Sequence, residues 1–125
     1  MANKYGNKLC TFDENGEVLK FSSMAERRRY IYLSDLQQRG LISDLSRQPR
    51  FLLIERFVRH AKKFQAEYYV ADFQYQQDYQ TIVEDVKGVS TAAYLGKRKH
   101  FLKLNPDIVF LEVRLKGFKW EITEL

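Results

Sequence analysis

Cysteine, proline and long apolar runs are all scarce in this chain of 125 residues. Its single cysteine, Cys10, excludes an internal disulfide framework and a cysteine-rich zinc site, and it is typical of a reducing compartment. There are only two prolines, Pro49 and Pro106, and neither a repeat nor a low-complexity segment is visible. These absences exclude small disulfide-stapled proteins and fibrous or low-complexity chains.

No segment of the sequence is apolar enough to cross a membrane or to direct export. The longest apolar runs, such as 51–54 and 108–111, have four residues, whereas a spanning helix needs about 20. The first residues, 1–6, form no apolar signal segment. The sequence also lacks a phosphate-binding glycine loop, an HExxH motif and a GxSxG motif. We therefore expect a cytoplasmic protein that has no membrane partner.

The length and composition predict one folded domain over residues 1–125. Hydrophobic residues make up 45% of the chain and charged residues 30%, a balance typical of a globular protein rather than of a disordered one. A chain of this length buries roughly two-thirds of its unfolded surface, which gives it a core without metal or disulfide support.

The charge balance favours an anionic partner. Lys and Arg number 21 against 16 Asp and Glu, for a formal net charge of +5. The segment 47–63 contains six basic residues and one acid, and further basic clusters occur at 27–29 and 97–103. Aromatic residues alternate with these clusters and could offer stacking surfaces. The alternative is that the clusters are ordinary solvated faces.

The first half of the chain predicts a hairpin, a helix and an interrupted strand. Segments 9–12 and 17–21 flank an Asn-Gly turn, which is typical of a β-hairpin. Ser23 and Glu26 have the spacing of a capping box, and Gly40 follows as a helix end. A strand then runs through Leu45, breaks at Pro49 and resumes at 51–54. We expect the basic segment 56–63 to be a loop or a strand extension.

The second half predicts an antiparallel hairpin, a helix and two more strands. The hairpin strands cover 67–75 and 81–87, the helix covers 91–104, and the last strands cover 108–113 and 116–125, the final one at an edge. Together with the first half, this order predicts an α/β fold built on a mixed β-sheet flanked by α-helices.

One group of charged residues lies in this hairpin. Asp72 lies in an apolar setting on the first strand, and the second strand contains Asp85 and Lys87, which project from the same face while Glu84 points away. Two carboxylates and an ammonium group are costly to bury unless a cation joins them, and hard oxygen ligands suit Mg²⁺. The alternative is that Asp72 lies at a strand bend and that Asp85 and Lys87 form a simple ion pair.

The arrangement resembles the PD-(D/E)XK nuclease superfamily. It is also similar to a small phage-encoded family that was long catalogued as a domain of unknown function and was assigned to that superfamily. Ala71-Asp72 stands where the superfamily motif has Pro-Asp. The matching stretches are 4–8, 21–23 with Glu26 and Tyr30, 45–51, 69–73, 83–88 and 105–107.

The resemblance implies a restriction-endonuclease-like fold and a metal-dependent endodeoxyribonuclease. It implies that Asp72 and Asp85 are ligands of Mg²⁺, or of Mn²⁺ in its place, and that Lys87 is the catalytic lysine. Glu26, an acidic residue on the preceding helix, would be a further metal ligand and catalytic residue, although its position in the capping box is an alternative explanation. Gln48 would be a polar residue beside the site.

The resemblance extends more loosely to Holliday-junction resolvases, which implies branched DNA as the substrate and a homodimer as the active form. If the chain is phage-encoded, it would act in the cytoplasm of the host cell. Alternative functions are a nicking or end-processing nuclease of the same fold and a non-catalytic DNA-binding phage protein. The residues expected to contact DNA are Arg47, Gln48, Arg50, Arg59, Lys62, Lys63, Lys97 and Lys99.

Overall fold

The computed structural model of the protein describes residues 10–88 and 90–125. The expectations for residues 1–6, for the matching stretch 4–8 and for the start of the first strand at Leu9 lie outside the described residues. Within the described ranges there are two helices, α1 (Met24–Gln38) and α2 (Ala92–Leu104). Neither described helix is long and apolar enough to span a membrane.

The described strands fall into one five-stranded sheet and three separate two-stranded ribbons. They are β1 (Thr11–Glu14), β2 (Glu17–Lys20), β3 (Ser43–Arg47), β4 (Arg50–Ile54), β5 (Phe57–Arg59), β6 (Lys62–Phe64), β7 (Glu67–Val70), β8 (Phe73–Gln77), β9 (Gln80–Val86), β10 (Val109–Lys116) and β11 (Lys119–Glu124).

The main sheet is mixed, as predicted. Its strand order is β11-β10-β9-β8-β3, and all neighbours are antiparallel except β9 and β10, which are parallel. Parallel neighbours need a crossover connection, and α2 lies in the segment that joins β9 to β10. The α/β class and the mixed sheet are confirmed.

The two helices cover opposite faces of this sheet. Ile82 and Val83 are adjacent in β9 and therefore point to opposite faces. Ile82 belongs to the core that contains Leu33 of α1, and Val83 belongs to the core that contains Phe101 of α2. The β4–β7 ribbon packs on the α2 side, because Leu53 shares that second core.

Both helices begin where the sequence predicts. The Ser23 hydroxyl caps α1 by accepting a hydrogen bond from the backbone N–H of Glu26 at 3.1 Å. Thr91 caps α2 in the same way through the N–H of Tyr94, also at 3.1 Å. Gly40, just beyond α1, has a φ of +77°, the left-handed conformation that glycine adopts without a steric penalty.

The prediction of one strand over 67–75 is wrong. The segment is divided at Ala71 and Asp72: β7 pairs with β4, whereas β8 pairs with β9 and β3. The backbone N–H of Gln48 donates to Asp72 O at 2.9 Å, and that of Ala71 donates to Pro49 O at 3.1 Å. The segment 49–71 therefore leaves the main sheet and returns to it at one place.

The basic segment 56–63 contains most of a separate hairpin rather than a loop or an extension of a neighbouring strand. Strands β5 and β6 pair with each other, with Phe57 opposite Phe64 and Arg59 opposite Lys62. His60 and Ala61 form the two-residue turn between them. We call residues 57–64 the basic hairpin.

The basic cluster 27–29 is not a purely solvated surface. Arg29 is only 4% exposed, and its guanidinium donates two hydrogen bonds to the carboxylate of Glu84, at 2.7 and 2.8 Å. The ion pair ties α1 to the central strand β9. Burial opposes the charged form, but the bonds to Glu84 and its charge raise the pKa of Arg29.

Candidate active site

Asp72 and Asp85 meet where the chain passes from β7 to β8. The backbone N–H of Asp72 donates to Asp85 Oδ1 at 3.1 Å, and the backbone N–H of Val86 donates to Asp72 Oδ2 at 2.8 Å. Asp72 lies at a bend rather than inside a strand, so its side chain turns back along β9. Each aspartate thus accepts a backbone hydrogen bond from the segment that bears the other.

Asp85 is completely buried on the α2 face of the sheet. Its relative exposure is 0%, and its Oδ2 accepts a hydrogen bond from the hydroxyl of Tyr69, which is also buried. Its cationic partner among the described residues is Lys87, whose Nζ lies 3.9 Å from Asp85 Oδ1. Asp85 and Lys87 project from the same face, and Glu84 faces α1, as the strand period predicts.

Lys87 connects the buried aspartate to the solvent. About a quarter of its side chain is exposed, and its Nζ lies 4.3 Å from the centre of the Tyr94 ring. A cation over an aromatic face is held electrostatically, so Tyr94 and Asp85 together restrict the position of the ammonium group. The backbone N–H of Lys87 donates to Val113 O at 2.9 Å, which fixes the strand beneath it.

A second charged cluster adjoins the aspartates on the same face. Glu112 lies directly opposite Asp85 in the β9–β10 register and accepts hydrogen bonds from Tyr94 at 3.0 Å and from Arg98 at 2.8 Å. Arg114 contributes a further bond to Glu112, at 3.3 Å, and donates to Gly88 O at 2.8 Å. Burial opposes ionisation of Glu112, but the Tyr94 hydrogen bond and the two guanidinium charges lower its pKa.

Glu26 lies on α1 and is buried. Its Oε1 accepts hydrogen bonds from the backbone N–H of Ser22, at 3.1 Å, and from the hydroxyl of Ser22. The carboxylate therefore bonds to Ser22, the residue before the cap, and not to the backbone N–H of Ser23. Of the expected capping box, only the bond from the Glu26 N–H to the Ser23 hydroxyl is present. Its charge is close enough to influence Asp72 and Asp85.

Burial makes both aspartates weak acids. It raises the pKa of Asp72 to about 6, against the opposing effects of the Val86 hydrogen bond and the Lys87 charge. It raises the pKa of Asp85 to about 7, although the Lys87 charge and the Asp72 N–H oppose the change. The negative charge of Glu26 adds to both shifts. A cation bound to these carboxylates would therefore neutralise negative charge that the protein itself compensates poorly.

The donor set is smaller than the sequence predicts. Within residues 10–88 and 90–125, no three Asp, Glu, His or Cys side chains are grouped closely enough to hold a metal ion. Asp72 and Asp85 remain as a pair, and among the described residues Asp72 Oδ1 accepts no hydrogen bond. A two-carboxylate set fits Mg²⁺, which keeps several waters and takes one or two carboxylates from a protein. As placed, Glu26 does not complete a three-carboxylate site.

Three residues near the aspartates are expected to contact DNA, and they differ in how firmly the protein already holds their side chains. Arg47 lies with its guanidinium 4.1 Å from the Phe21 ring centre and donates to Lys20 O, so it is held by the β1–β2 side of the protein. Gln48 is exposed, has a φ of 53°, and is joined to Asp72 by its backbone. Arg50 is exposed and stacks on Tyr68 at 4.0 Å.

The remaining basic residues lie on two other elements. Arg59, Lys62 and Lys63 are exposed on the basic hairpin. On α2, Lys97 follows Tyr94 by three residues and so lies on its flank, whereas Lys99 follows by five and lies towards the far side of the helix. Both lysines are exposed. Helical spacing therefore associates Lys97, and not Lys99, with the candidate site.

Sequence reasoning missed the residues that surround the acidic pair. These residues are Tyr69, Tyr94, Arg98, Glu112 and Arg114. For the last two a signal existed: Glu112 and Arg114 alternate with apolar residues in β10, and charges two apart in a strand share a face. No local pattern marks Tyr69, because its contact with Asp85 depends on the division between β7 and β8.

The described residues form an α/β protein in which Asp72 and Asp85 meet where the chain returns from the β4–β7 ribbon to the main sheet. The chain belongs to the family described as "Protein of unknown function (DUF1064)", whose model matches residues 2–121. Neither the comparison with curated proteins nor the comparison with solved structures found a match.

Proposed function

We propose that this protein is a Mg²⁺-dependent DNA endonuclease that hydrolyses phosphodiester bonds. The observation that carries the proposal is the contact between Asp72 and Asp85, with Lys87 Nζ 3.9 Å from Asp85 Oδ1. The order Asp72, Asp85, Lys87 and the helix-borne Glu26 also resembles the PD-(D/E)XK pattern. A restriction-endonuclease-like fold is part of the same proposal, and the mixed sheet with a helix on each face is consistent with it.

Asp72 and Asp85 would hold the Mg²⁺, or Mn²⁺ in its place. Such an ion, when bound, supplies a Lewis acid for the phosphate and lowers the pKa of water. The protein contributes the carboxylates and their fixed positions: the Val86 N–H orients Asp72, while the Tyr69 hydroxyl and the Asp72 N–H orient Asp85. Glu26 contributes negative charge behind the pair, which favours a bound cation.

Lys87 is the residue that would touch the scissile phosphate. Its partly exposed ammonium group can donate hydrogen bonds to phosphate oxygens and stabilise the negative charge that accumulates during hydrolysis. Asp85 and the Tyr94 ring hold this ammonium in advance, which lowers the cost of orienting it. Arg114 and Arg98 neutralise the neighbouring Glu112, so that carboxylate does not compete for Lys87.

The substrate we propose is DNA, with a preference for branched forms. The exposed cations Arg50, Arg59, Lys62, Lys63 and Lys97 offer phosphate contacts without a motif for reading bases. A homodimer, with two sites related by two-fold symmetry, would match the symmetry of a four-way junction. In this proposal the protein acts in the cytoplasm, that of the host cell if the chain is phage-encoded.

A second candidate function is non-catalytic DNA binding. It is favoured by the absence of a third metal-binding side chain beside Asp72 and Asp85 in the described part of the chain. In that case Asp72 and Asp85 would serve only to hold the junction between β7 and β8 in place. Binding of DNA by the basic surface would then be the whole function.

A cleavage assay separates these two functions. Four-way, flapped, nicked and linear duplex DNA would be incubated with the protein in Mg²⁺ and in EDTA. We expect cleavage of branched DNA in Mg²⁺ alone, and a loss of at least about 100-fold in the D85N and D72N variants with DNA binding retained. D78N is the matched control, because Asp78 is an exposed turn residue. Equal cleavage by D85N and the wild type would refute the assignment.

A further inference from the structure

The basic hairpin projects from the protein with almost no support from the cores. Every residue from Ile54 to Gln65 is exposed, and Phe57, Val58 and Phe64 have 45%, 59% and 36% of their surface open to solvent. Large apolar side chains on a two-stranded ribbon that lies outside both cores add nothing to the packing of those cores. Their exposure indicates a surface that is covered by a partner.

One face of the basic hairpin combines aromatic rings with cations. Cross-strand pairing places Phe57 opposite Phe64 and Arg59 opposite Lys62, and strand alternation puts all four side chains on the same face. The two rings stack with centroids 4.7 Å apart and planes 8° from parallel. Lys62 Nζ lies 5.3 Å from the Phe64 ring centre. Val58 and Lys63 occupy the other face.

Two features of the hairpin oppose its own stability. Arg59 and Lys62 are like charges directly opposite each other, a pairing that destabilises a two-stranded ribbon. The turn residues His60 and Ala61 have φ values of 51° and 63°, in the left-handed region that hairpin turns usually fill with Gly or Asn. No acid occurs between residues 57 and 64.

These features favour a polyanion over a second copy of this chain as the partner. A second copy of the hairpin would bring the same cations to the contact and increase the repulsion. A nucleic acid would supply the missing negative charge through its phosphates and a flat surface for the rings through its bases. A nucleic acid would therefore interact with both the cations and the rings.

We propose that the ring-bearing face of the basic hairpin binds unpaired bases of DNA, with a base stacking on the outer face of the Phe57–Phe64 ring pair and Arg59 and Lys62 contacting the flanking phosphates. The proposal rests on the function proposed above, and it gives that function its selectivity, since unpaired or unstacked bases occur at branches and gaps. A two-stranded ribbon is also narrow enough to lie in the major groove of the adjoining duplex.

Binding in EDTA tests this proposal separately from catalysis. Fluorescein-labelled duplexes of equal length, one fully paired and one with a short single-stranded gap, would be titrated by fluorescence anisotropy. We expect the wild type to prefer the gapped DNA and the F57A/F64A double variant to lose about 10-fold or more of that preference. V58A, altered on the other face, is the control and should keep it. Circular dichroism should be unchanged, since the hairpin lies outside the cores.

A charge variant separates stacking from phosphate contact. R59Q/K62Q should weaken binding to both duplexes by a similar factor and leave the gap preference in place. Retention of the gap preference by F57A/F64A, or its absence in the wild type, would overturn the proposal. Mg²⁺-dependent cleavage in which the rings play no role would support the nuclease and refute the proposed role of the hairpin. Ring-dependent binding without cleavage would support the role of the hairpin and refute the nuclease. Failure to bind any DNA would refute both proposals.

Discussion

Glu84 and Asp85 are consecutive residues of β9, both completely buried, and their ion pairs differ in closeness. Arg29 meets the Glu84 carboxylate with two hydrogen bonds, at 2.7 and 2.8 Å, whereas the Lys87 ammonium group lies 3.9 Å from Asp85 Oδ1. One strand therefore presents a neutralised carboxylate to the α1 face and an incompletely neutralised one to the α2 face. The difference is consistent with a structural role for Glu84 and with the proposed role of Asp85 as a cation ligand.

Removing Arg29 should destabilise the protein strongly. R29M would leave the buried Glu84 without its cationic partner, and we expect the free energy of unfolding to fall by about 3–5 kcal/mol. R39M is the control, because it breaks only the exposed pair with Asp35, which is expected to contribute about 0–1 kcal/mol. Urea denaturation followed by circular dichroism measures both changes. Similar losses in the two variants would show that Glu84 does not depend on Arg29.

The two aspartates should make the protein less stable as the pH rises through neutrality in EDTA. Their pKa values, about 6 for Asp72 and about 7 for Asp85, lie above the ordinary 3.8, so the folded state binds more protons than the unfolded state between pH 4 and pH 7. The stabilisation is complete below the ordinary pKa and is lost as the pH passes the raised values. Glu112 shifts in the opposite direction, below 4.5, and so does not affect a series from pH 5 to pH 8.

Urea midpoints across that pH series measure the effect. D85N should give a shallower slope than the wild type, and D78N, altered at an exposed turn, should leave the slope unchanged. Mg²⁺ at pH 8 should raise the midpoint of the wild type more than that of D85N, because the ion binds the ionised pair only in the folded state. A midpoint that rises from pH 5 to pH 8 in EDTA would contradict the expected loss of stability.

The Tyr94 ring should matter more for cleavage than its hydroxyl does. Y94F keeps the ring 4.3 Å from Lys87 Nζ and removes only the hydrogen bond to Glu112, which retains Arg98 and Arg114. Y94A removes the ring as well. Since a cation over an aromatic ring contributes about 0.5–2 kcal/mol, we expect Y94A to cleave DNA about 2- to 30-fold more slowly than Y94F. Equal rates under single-turnover conditions would mean that the ring does not position Lys87.

Salt should weaken DNA binding steeply, and single lysines should account for part of the slope. Loss of one phosphate contact in K62Q should reduce the slope of log K against log salt by about 0.9. The control is K119Q, on the edge strand β11 and outside the basic clusters. Anisotropy titrations at several salt concentrations give both slopes. A flat response in the wild type would argue against the basic surface as the site of DNA binding.

Local signals in the sequence predicted the helices well and one strand poorly. Ser23 has a capping partner at the expected spacing, and Gly40 and Asn105 end the helices where the pattern changes. The segment 67–75 resembles one strand because Tyr69, Ala71, Phe73 and Tyr75 alternate without a break in period. In the structure the first two pack on the α2 side and the last two on the α1 side. Period alone does not detect that transfer between layers.

Charge clusters predicted the presence of cations but not their roles. Arg29 and Arg59 both occur in basic runs, yet Arg29 is a buried partner of Glu84 and Arg59 is exposed on the basic hairpin. The distinction depends on a carboxylate 55 positions away along the chain. The grouping of Asp85 with Lys87 was predictable because it depends only on strand alternation, whereas the neighbouring Glu112 required the parallel register of β9 and β10.

The excursion 49–71 closes on itself through the two backbone bonds that join Gln48 to Asp72 and Ala71 to Pro49. Because these two bonds hold the ends of the excursion together, a change in its length alters the entropy of loop closure only slowly. Such a change need not disturb the strands of the main sheet. The outer part of the segment, residues 54–65, can thus change while Leu53 and Tyr69 keep their places in the second core and the acidic pair stays in register. Relatives that share the sheet are expected to diverge most in this outer part, and with it in the ligands they select.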